Sequence, residues 1–154
     1  MLLLQFQAGT DRYGLDIEQV IEVSSLVALR SVPHAPPQVA GTFNYRGTLT
    51  PVVDMTALLT GVPSRPRMST RIILVDYKGE DGRSHTLGLL AEAVTEMIRY
   101  QKEDLQQPVV RVHICPPART WQPSGPQPRR WSGIVRYAPV RSKASGRGVR
   151  RTRA

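Results

Sequence analysis

FNYRGTLTPVVDM, residues 43–55, reads as a β-hairpin with a charged tip. Phe43 and Tyr45 alternate with Thr42 and Asn44, as in a half-buried strand. Arg46-Gly47 interrupts the run, and Gly47 is free to take a positive φ. Leu49, Pro51, Val52 and Val53 resume an apolar strand, which Pro51, having no N–H, places at an edge or a bulge. Asp54 ends the strand and caps a short helical turn over Met55–Leu59. One arginine is thus expected at a tight turn between two stiff strands, an arrangement suited to docking another protein.

Around this hairpin the chain reads as short strands separated by turns. Leu2, Leu4 and Phe6 alternate with Leu3, Gln5 and Gln7, and Tyr13, Leu15 and Ile17 alternate with Gly14 and Asp16. The turn Ala8–Asp11 joins these two into a first hairpin. Asp16 and Gln19 have the spacing of a capping box, so a helical turn is expected there, followed by extended chain at Ile21–Val23. Residues 26–33 alternate weakly. Pro36 to Gly41 has the proline start and glycine stop of a one-turn helix. Residues 60–69 form a polar, proline-bearing loop. Arg71–Tyr77 is apolar through its middle, the pattern of a strand covered on both faces, and His85–Leu90 is its return strand. Ala91–Tyr100 is compatible with a helical turn and then a strand. Strands of about five to eight residues, with turn signals about every 8–12 residues, indicate an all-β barrel or a pair of barrels.

The charge divides sharply. Residues 1–107 hold all 12 acidic residues and 10 of the 21 Lys+Arg, while residues 108–154 hold the other 11 basic residues and no acid. The net charge of +9 therefore belongs to the C-terminal stretch, and residues 1–107 read as an ordinary, slightly acidic globular domain. The lone cysteine, Cys115, allows no internal disulfide and fits a reducing compartment. No run approaches the roughly 18–20 apolar residues of a membrane span, and the first residues lack the basic region of a signal peptide. A cytoplasmic location is the expectation.

Catalytic chemistry finds little support. His34, His85 and His113 lie far apart, and His113 with Cys115 supplies two metal ligands where a structural zinc site takes four. There is no G-x-S-x-G, P-loop, G-x-G-x-x-G or H-E-x-x-H. Glu92 and Glu96, four apart, read as a solvated face. A binding module is favoured over an enzyme, with no catalytic residue, metal or cofactor assigned.

The co-linear pattern is more specific. F-x-x-G-x-x-x-Y-x-L-x-I-x-x-V-x-E-V spans Phe6–Val23, P-x-x-P-P-x-V-x-G spans Pro33–Gly41, and N-x-R-G-x-x-x-P-V-x-D spans Asn44–Asp54. T-R-I-I-L-V and L-G-L-L-x-E-x-V-x-E-M follow between residues 70 and 97. Over residues 3–107 this set resembles the CheW family of chemotaxis coupling proteins. The resemblance implies two small five-stranded SH3-like barrels around a shared core. It also implies an adaptor that binds the regulatory domain of a CheA-type histidine kinase and the cytoplasmic tip of a methyl-accepting chemoreceptor. Such an adaptor meets the membrane only through receptor arrays on its inner face. By the resemblance, Arg46, Glu22 and Val20 contribute to the kinase and receptor contacts, and Gly47 shapes the same turn. An arginine on a rigid turn loses little conformational entropy on docking, and its planar fork suits a carboxylate. The competing reading of Arg46 is an internal ion pair with Glu22 or Asp54 that only fixes the hairpin; that of Val20 is core packing. Asn44 and Asp54 are expected to be structural, closing the turn and capping the next element.

After Gln107 the resemblance fails. Residues 108–154 hold seven prolines, both tryptophans and no acid, where ordinary usage would place roughly five. Residues 1–107 are accordingly read as the CheW-like domain and 108–154 as a basic, disordered tail. Out-of-frame translation of GC-rich sequence produces this composition, and resequencing around codon 107 tests that origin. Only Val109–Ile114 and Gly133–Tyr137 have strand character, leaving closure of the second barrel open. The alternative reading is a small β-barrel that binds RNA or another nucleic acid, or anionic lipid, through the basic tail.

Overall fold

The computed structural model describes residues 2–78, 82–99, 109–112 and 131–137. Two five-stranded sheets carry the fold. The first has the order β8 (Met97–Arg99), β1 (Leu2–Ala8), β2 (Asp11–Asp16), β10 (Trp131–Tyr137), β9 (Val109–Val112). The second has the order β3 (Val20–Ser25), β6 (Arg71–Lys78), β7 (Ser84–Ala91), β5 (Thr48–Asp54), β4 (Val39–Tyr45). All pairings are antiparallel except β5 with β7, which run parallel because the helix α1 (Met55–Thr60) and β6 intervene between them.

The alternation read in β1 and β2 holds over Leu4–Ala8 and Tyr13–Leu15, but Leu3 on the opposite face is buried as well, and β2 ends at Asp16, with Ile17 opening a single helical turn, Ile17–Gln19. Leu4, Phe6, Ala8, Tyr13 and Leu15 share one core with Val53, Met55, Ile73, Val75 and Leu89, so this core joins the two sheets. Phe6 stacks on Tyr13 with ring centroids 5.7 Å apart. The unbroken apolar run of β6 is explained by its second face: Ile72 and Leu74 pack with Val52 and Leu90 in a separate core, flanked by Leu29, Phe43 and Tyr45. Each fully buried aliphatic side chain of this kind contributes about 1.5–3 kcal/mol. The rigid underside of the β4–β5 hairpin thus comes from side chains two strands away.

Several local expectations change. Pro36 to Gly41 is not a helical turn. Val39 N–H donates to the Pro36 carbonyl at 2.9 Å in a simple turn, and the chain enters β4 at Val39. Gly41 lies inside β4 at φ 149°, where an added Cβ would meet the Arg30 carbonyl oxygen at 2.5 Å. The glycine serves close backbone approach, not helix termination. β5 is interior and not an edge; its ladder to β7 begins at Val52↔Gly88, one residue past Pro51, so the missing N–H falls outside that pairing. Residues 93–96 form no helical turn, and β8 follows directly.

Among the described residues the two sheets are open, where closed barrels are expected from the sequence. Among the described residues no ladder joins β3 to β4, the two ends of the second sheet. Residues 26–33 cross that gap and form only one bridge, in which Arg30 and Thr42 exchange two backbone hydrogen bonds of 2.8 Å. The basic tail contributes two strands at the segments with strand character. β10 pairs with β2 through Ile134↔Leu15 to Tyr137↔Arg12, and β9 pairs with β10. The remainder of 108–154, with His113 and Cys115, lies outside the described residues, as do residues 79–81 of the β6–β7 turn.

Candidate docking site at the hairpin tip

The ladder between β4 and β5 ends at Tyr45↔Thr48, leaving Arg46-Gly47 as a two-residue turn. Both take positive φ, 49° and 85°, the signature of the type I′ turn whose twist matches that of the flanking strands. Glycine adopts this region freely; for a side chain as long as arginine it costs about 1 kcal/mol. Asn44 offsets part of this by accepting from the Gly47 N–H through Oδ1 at 2.8 Å, the turn-closing role expected of it. A Cβ on Gly47 would touch nothing within 4 Å, so its constraint is purely conformational.

The turn delivers Arg46 to Glu22. Arg46 Nη2 donates to Glu22 Oε2 at 3.1 Å, and the Tyr45 hydroxyl donates to the same oxygen at 2.7 Å. The guanidinium also lies over the Tyr45 ring, 5.1 Å from its centroid. Glu22 reaches this point because β3 is bulged between Val20 and Glu22, which re-aims the side chain. The internal pair weighed from the sequence therefore exists, with Glu22 and not Asp54 as the partner. It does not bury the arginine: side-chain exposure is 75% for Arg46 and 43% for Glu22. An ion pair this open is worth about 0–1 kcal/mol, so fixing the hairpin is a minor service and an accessible face remains. The Tyr45 hydroxyl titrates above the usual tyrosine value, chiefly because it donates to Glu22, with Arg46 pulling the other way.

The remaining residues divide by environment. Val20 is half-buried, packs against the core shared by the sheets and faces Val75 in the ladder. The apolar side chains that β3 exposes are Ile21 and Val23, continued by Leu26 and Val27. Asp54 is buried and structural. Its Oδ1 accepts from Ala57 N–H at 3.1 Å as the cap of α1 and from the Ser64 hydroxyl at 2.5 Å, while Oδ2 accepts from Ser64 N–H at 2.8 Å. Asp16 caps its single helical turn by accepting from Glu18 N–H, but Gln19 Oε1 has no partner, so the reciprocal half of the expected capping box is not made. Glu92 does not lie on a purely solvated face; its Oε1 accepts from Arg65 N–H at 2.6 Å and ties down the loop before β6.

Tyr45 and Ser64 escaped the sequence reading. Tyr45 alternates as an inward strand residue, and nothing in the spacing marks a hydroxyl that reaches β3. The arrangement offers recognition through an exposed guanidinium and carboxylate. No group of three or more metal-ligating side chains occurs among the described residues, and no helix among them is long and apolar enough to cross a membrane.

Comparison with known proteins places the fold. The chain is 31% identical over 104 residues to the chemotaxis protein CheW of Rhizobium meliloti, covering 68% of this chain and 64% of that protein. It is 29% identical over 103 residues to the protein FrzA of Myxococcus xanthus, covering 67% and 61%. The chain thus spans a little under two thirds of these relatives. The crystal structure of the scaffolding protein TtCheW from Thermoanaerobacter tengcongensis superimposes with a TM-score of 0.60 at 29% identity, covering 70% of this chain and 66% of that one. It supports the SH3-like all-β class read from the sequence. The CheW-like domain model matches residues 2–117, ten residues beyond Gln107, where the motif resemblance ends. By that match, over most of its length, the chain belongs to the CheW-like domain family.

Proposed function

We propose that this protein is a chemosensory adaptor that couples chemoreceptors to a CheA-type histidine kinase, without catalysing a reaction. In this reading it works at receptor arrays on the inner face of the membrane. Its docking handle is the β4–β5 tip, with Arg46 as the contact, Gly47 setting the turn, Glu22 alongside and Val20 supporting β3 from the core. Kinship with proteins named for chemotaxis supports the system. The observation that carries the site is a guanidinium kept 75% exposed on a turn whose backbone disfavours arginine. Strain of this kind persists where a side chain is needed for something other than local stability.

The test is titration of the regulatory domain of the chemotaxis kinase from the same genome into the wild-type protein and Arg46→Glu. Glutamate carries the same backbone cost, so the melting temperature stays close to that of the wild type while affinity falls. Equal affinity with an unchanged melting curve refutes the site.

A further inference from the structure

The hairpin tip has unused hydrogen-bonding capacity of both kinds. Arg46 Nη2 and the Tyr45 hydroxyl both converge on Glu22 Oε2. Among the described residues nothing engages Arg46 Nε or Nη1, or Glu22 Oε1. The site therefore offers donors and an acceptor side by side, and its net charge is zero. A lone carboxylate approaching it gains from the guanidinium but is opposed by Glu22 a few ångströms away. A group that brings an acceptor and a donor together satisfies both halves.

Tyr45 fixes this geometry. Its ring lies beneath the guanidinium at 5.1 Å, and its hydroxyl holds the shared carboxylate oxygen at 2.7 Å. A tilted contact with Phe43, 6.3 Å between centroids, braces the ring on the strand. Without it, two largely exposed side chains would keep one orientation only through a weak surface pair, and ordering them would cost affinity on docking.

We infer that Tyr45 is a positioning residue that holds Arg46 and Glu22 as a neutral donor–acceptor site, and that the partner surface it takes is a paired acidic and hydrogen-donating group, such as a carboxylate beside an amide or ammonium. This rests on the proposed docking role of Arg46 and supplies the partner chemistry of that site.

The test uses the full-length protein and the same kinase regulatory domain, titrated with Arg46→Gln, Glu22→Gln, Tyr45→Phe, Tyr45→Leu and the double variant Tyr45→Phe/Arg46→Gln. Arg46→Gln and Glu22→Gln each weaken binding by about tenfold, the scale of one well-made polar contact. Tyr45→Phe, which keeps the ring, costs about threefold, and Tyr45→Leu costs more. In the double variant the tyrosine change costs less than it does in the wild type, because one of the two side chains it holds is gone and only the Glu22 bond is left to lose; a general loss of fold quality would add in full. The inference is overturned if both Tyr45 variants bind like the wild type while Arg46→Gln is weakened, if the tyrosine effect persists undiminished in the double variant, or if Glu22→Gln binds as well as or better than the wild type. In each of these cases the docking role of Arg46 stands. If Arg46→Gln itself binds normally, the docking role falls with it.

Discussion

Asp54→Ala should be the most damaging single change at the junction below the hairpin. Asp54 is only 6% exposed, and its two oxygens serve three donors. Losing the cap on Ala57 N–H costs about 1 kcal/mol. The Ser64 amide and hydroxyl lose their acceptor as well, at about 1 kcal/mol each, near the lower end for a stranded donor because Ser64 is half-buried and water reaches it. The sum is about 3 kcal/mol, a fall in melting temperature of about 10 °C for a chain of this size. Asp54→Asn keeps an acceptor for Ala57 but turns an amide donor toward Ser64 N–H, so it should lose about half as much. Ser64→Ala removes only the hydroxyl bond and should lose least. Thermal melts followed by circular dichroism give the order Asp54→Ala, then Asp54→Asn, then Ser64→Ala. A melt of Asp54→Ala within about 2 °C of the wild type would show that this carboxylate does not hold the hairpin, helix and loop together.

Gly41→Ala should lose about 2–3 kcal/mol and speed hydrogen exchange at Thr42 N–H, because its Cβ would meet the Arg30 carbonyl at 2.5 Å and break the only bridge across the second sheet among the described residues. Tyr45 should titrate above free tyrosine, and the Tyr45→Phe difference spectrum near 295 nm measures it. Because the folded value is raised, the stabilisation is complete below the unfolded value near 10 and disappears as pH rises through the folded one; a Tyr45 titration at or below 10 contradicts the Glu22 bond. Truncation after Gln107 should leave β2 an unpaired edge by removing β10, giving dye-binding, aggregation-prone protein; a truncated form that melts like the full chain would show the tail strands to be dispensable.

What the sequence made legible follows from period and turn chemistry. The alternation over Leu4–Ala8 and Tyr13–Leu15, the double-faced run of β6, the Arg46-Gly47 turn and the Asp54 cap are local signals that the structure uses, while Leu3 and Ile17 depart from the period, Leu3 by burial and Ile17 by opening a helical turn. The errors arose where tertiary contact outweighs local preference. Pro36 to Gly41 carries a helix-like start and stop, yet Gly41 is needed for a backbone approach by Arg30, some ten residues earlier in the chain. Pro51 signals an edge or a bulge; the strand is interior, but its parallel ladder to β7 begins one residue later and the facing strand β4 shifts register between Val39 and Gly41, beside it. Glu22 was assigned through family resemblance, and its meeting with Arg46 depends on a bulge that no period reveals. Tyr45 was invisible because a strand tyrosine looks like core until its hydroxyl is followed to another strand.

The most direct measurement is the affinity of the kinase regulatory domain for Arg46→Glu beside the wild type, with melting curves on the same samples. A loss of tenfold or more, corresponding to about 1.4 kcal/mol, with melting temperatures within about 2 °C is the predicted result. Equal affinities for two equally folded proteins would contradict the docking role of the exposed guanidinium.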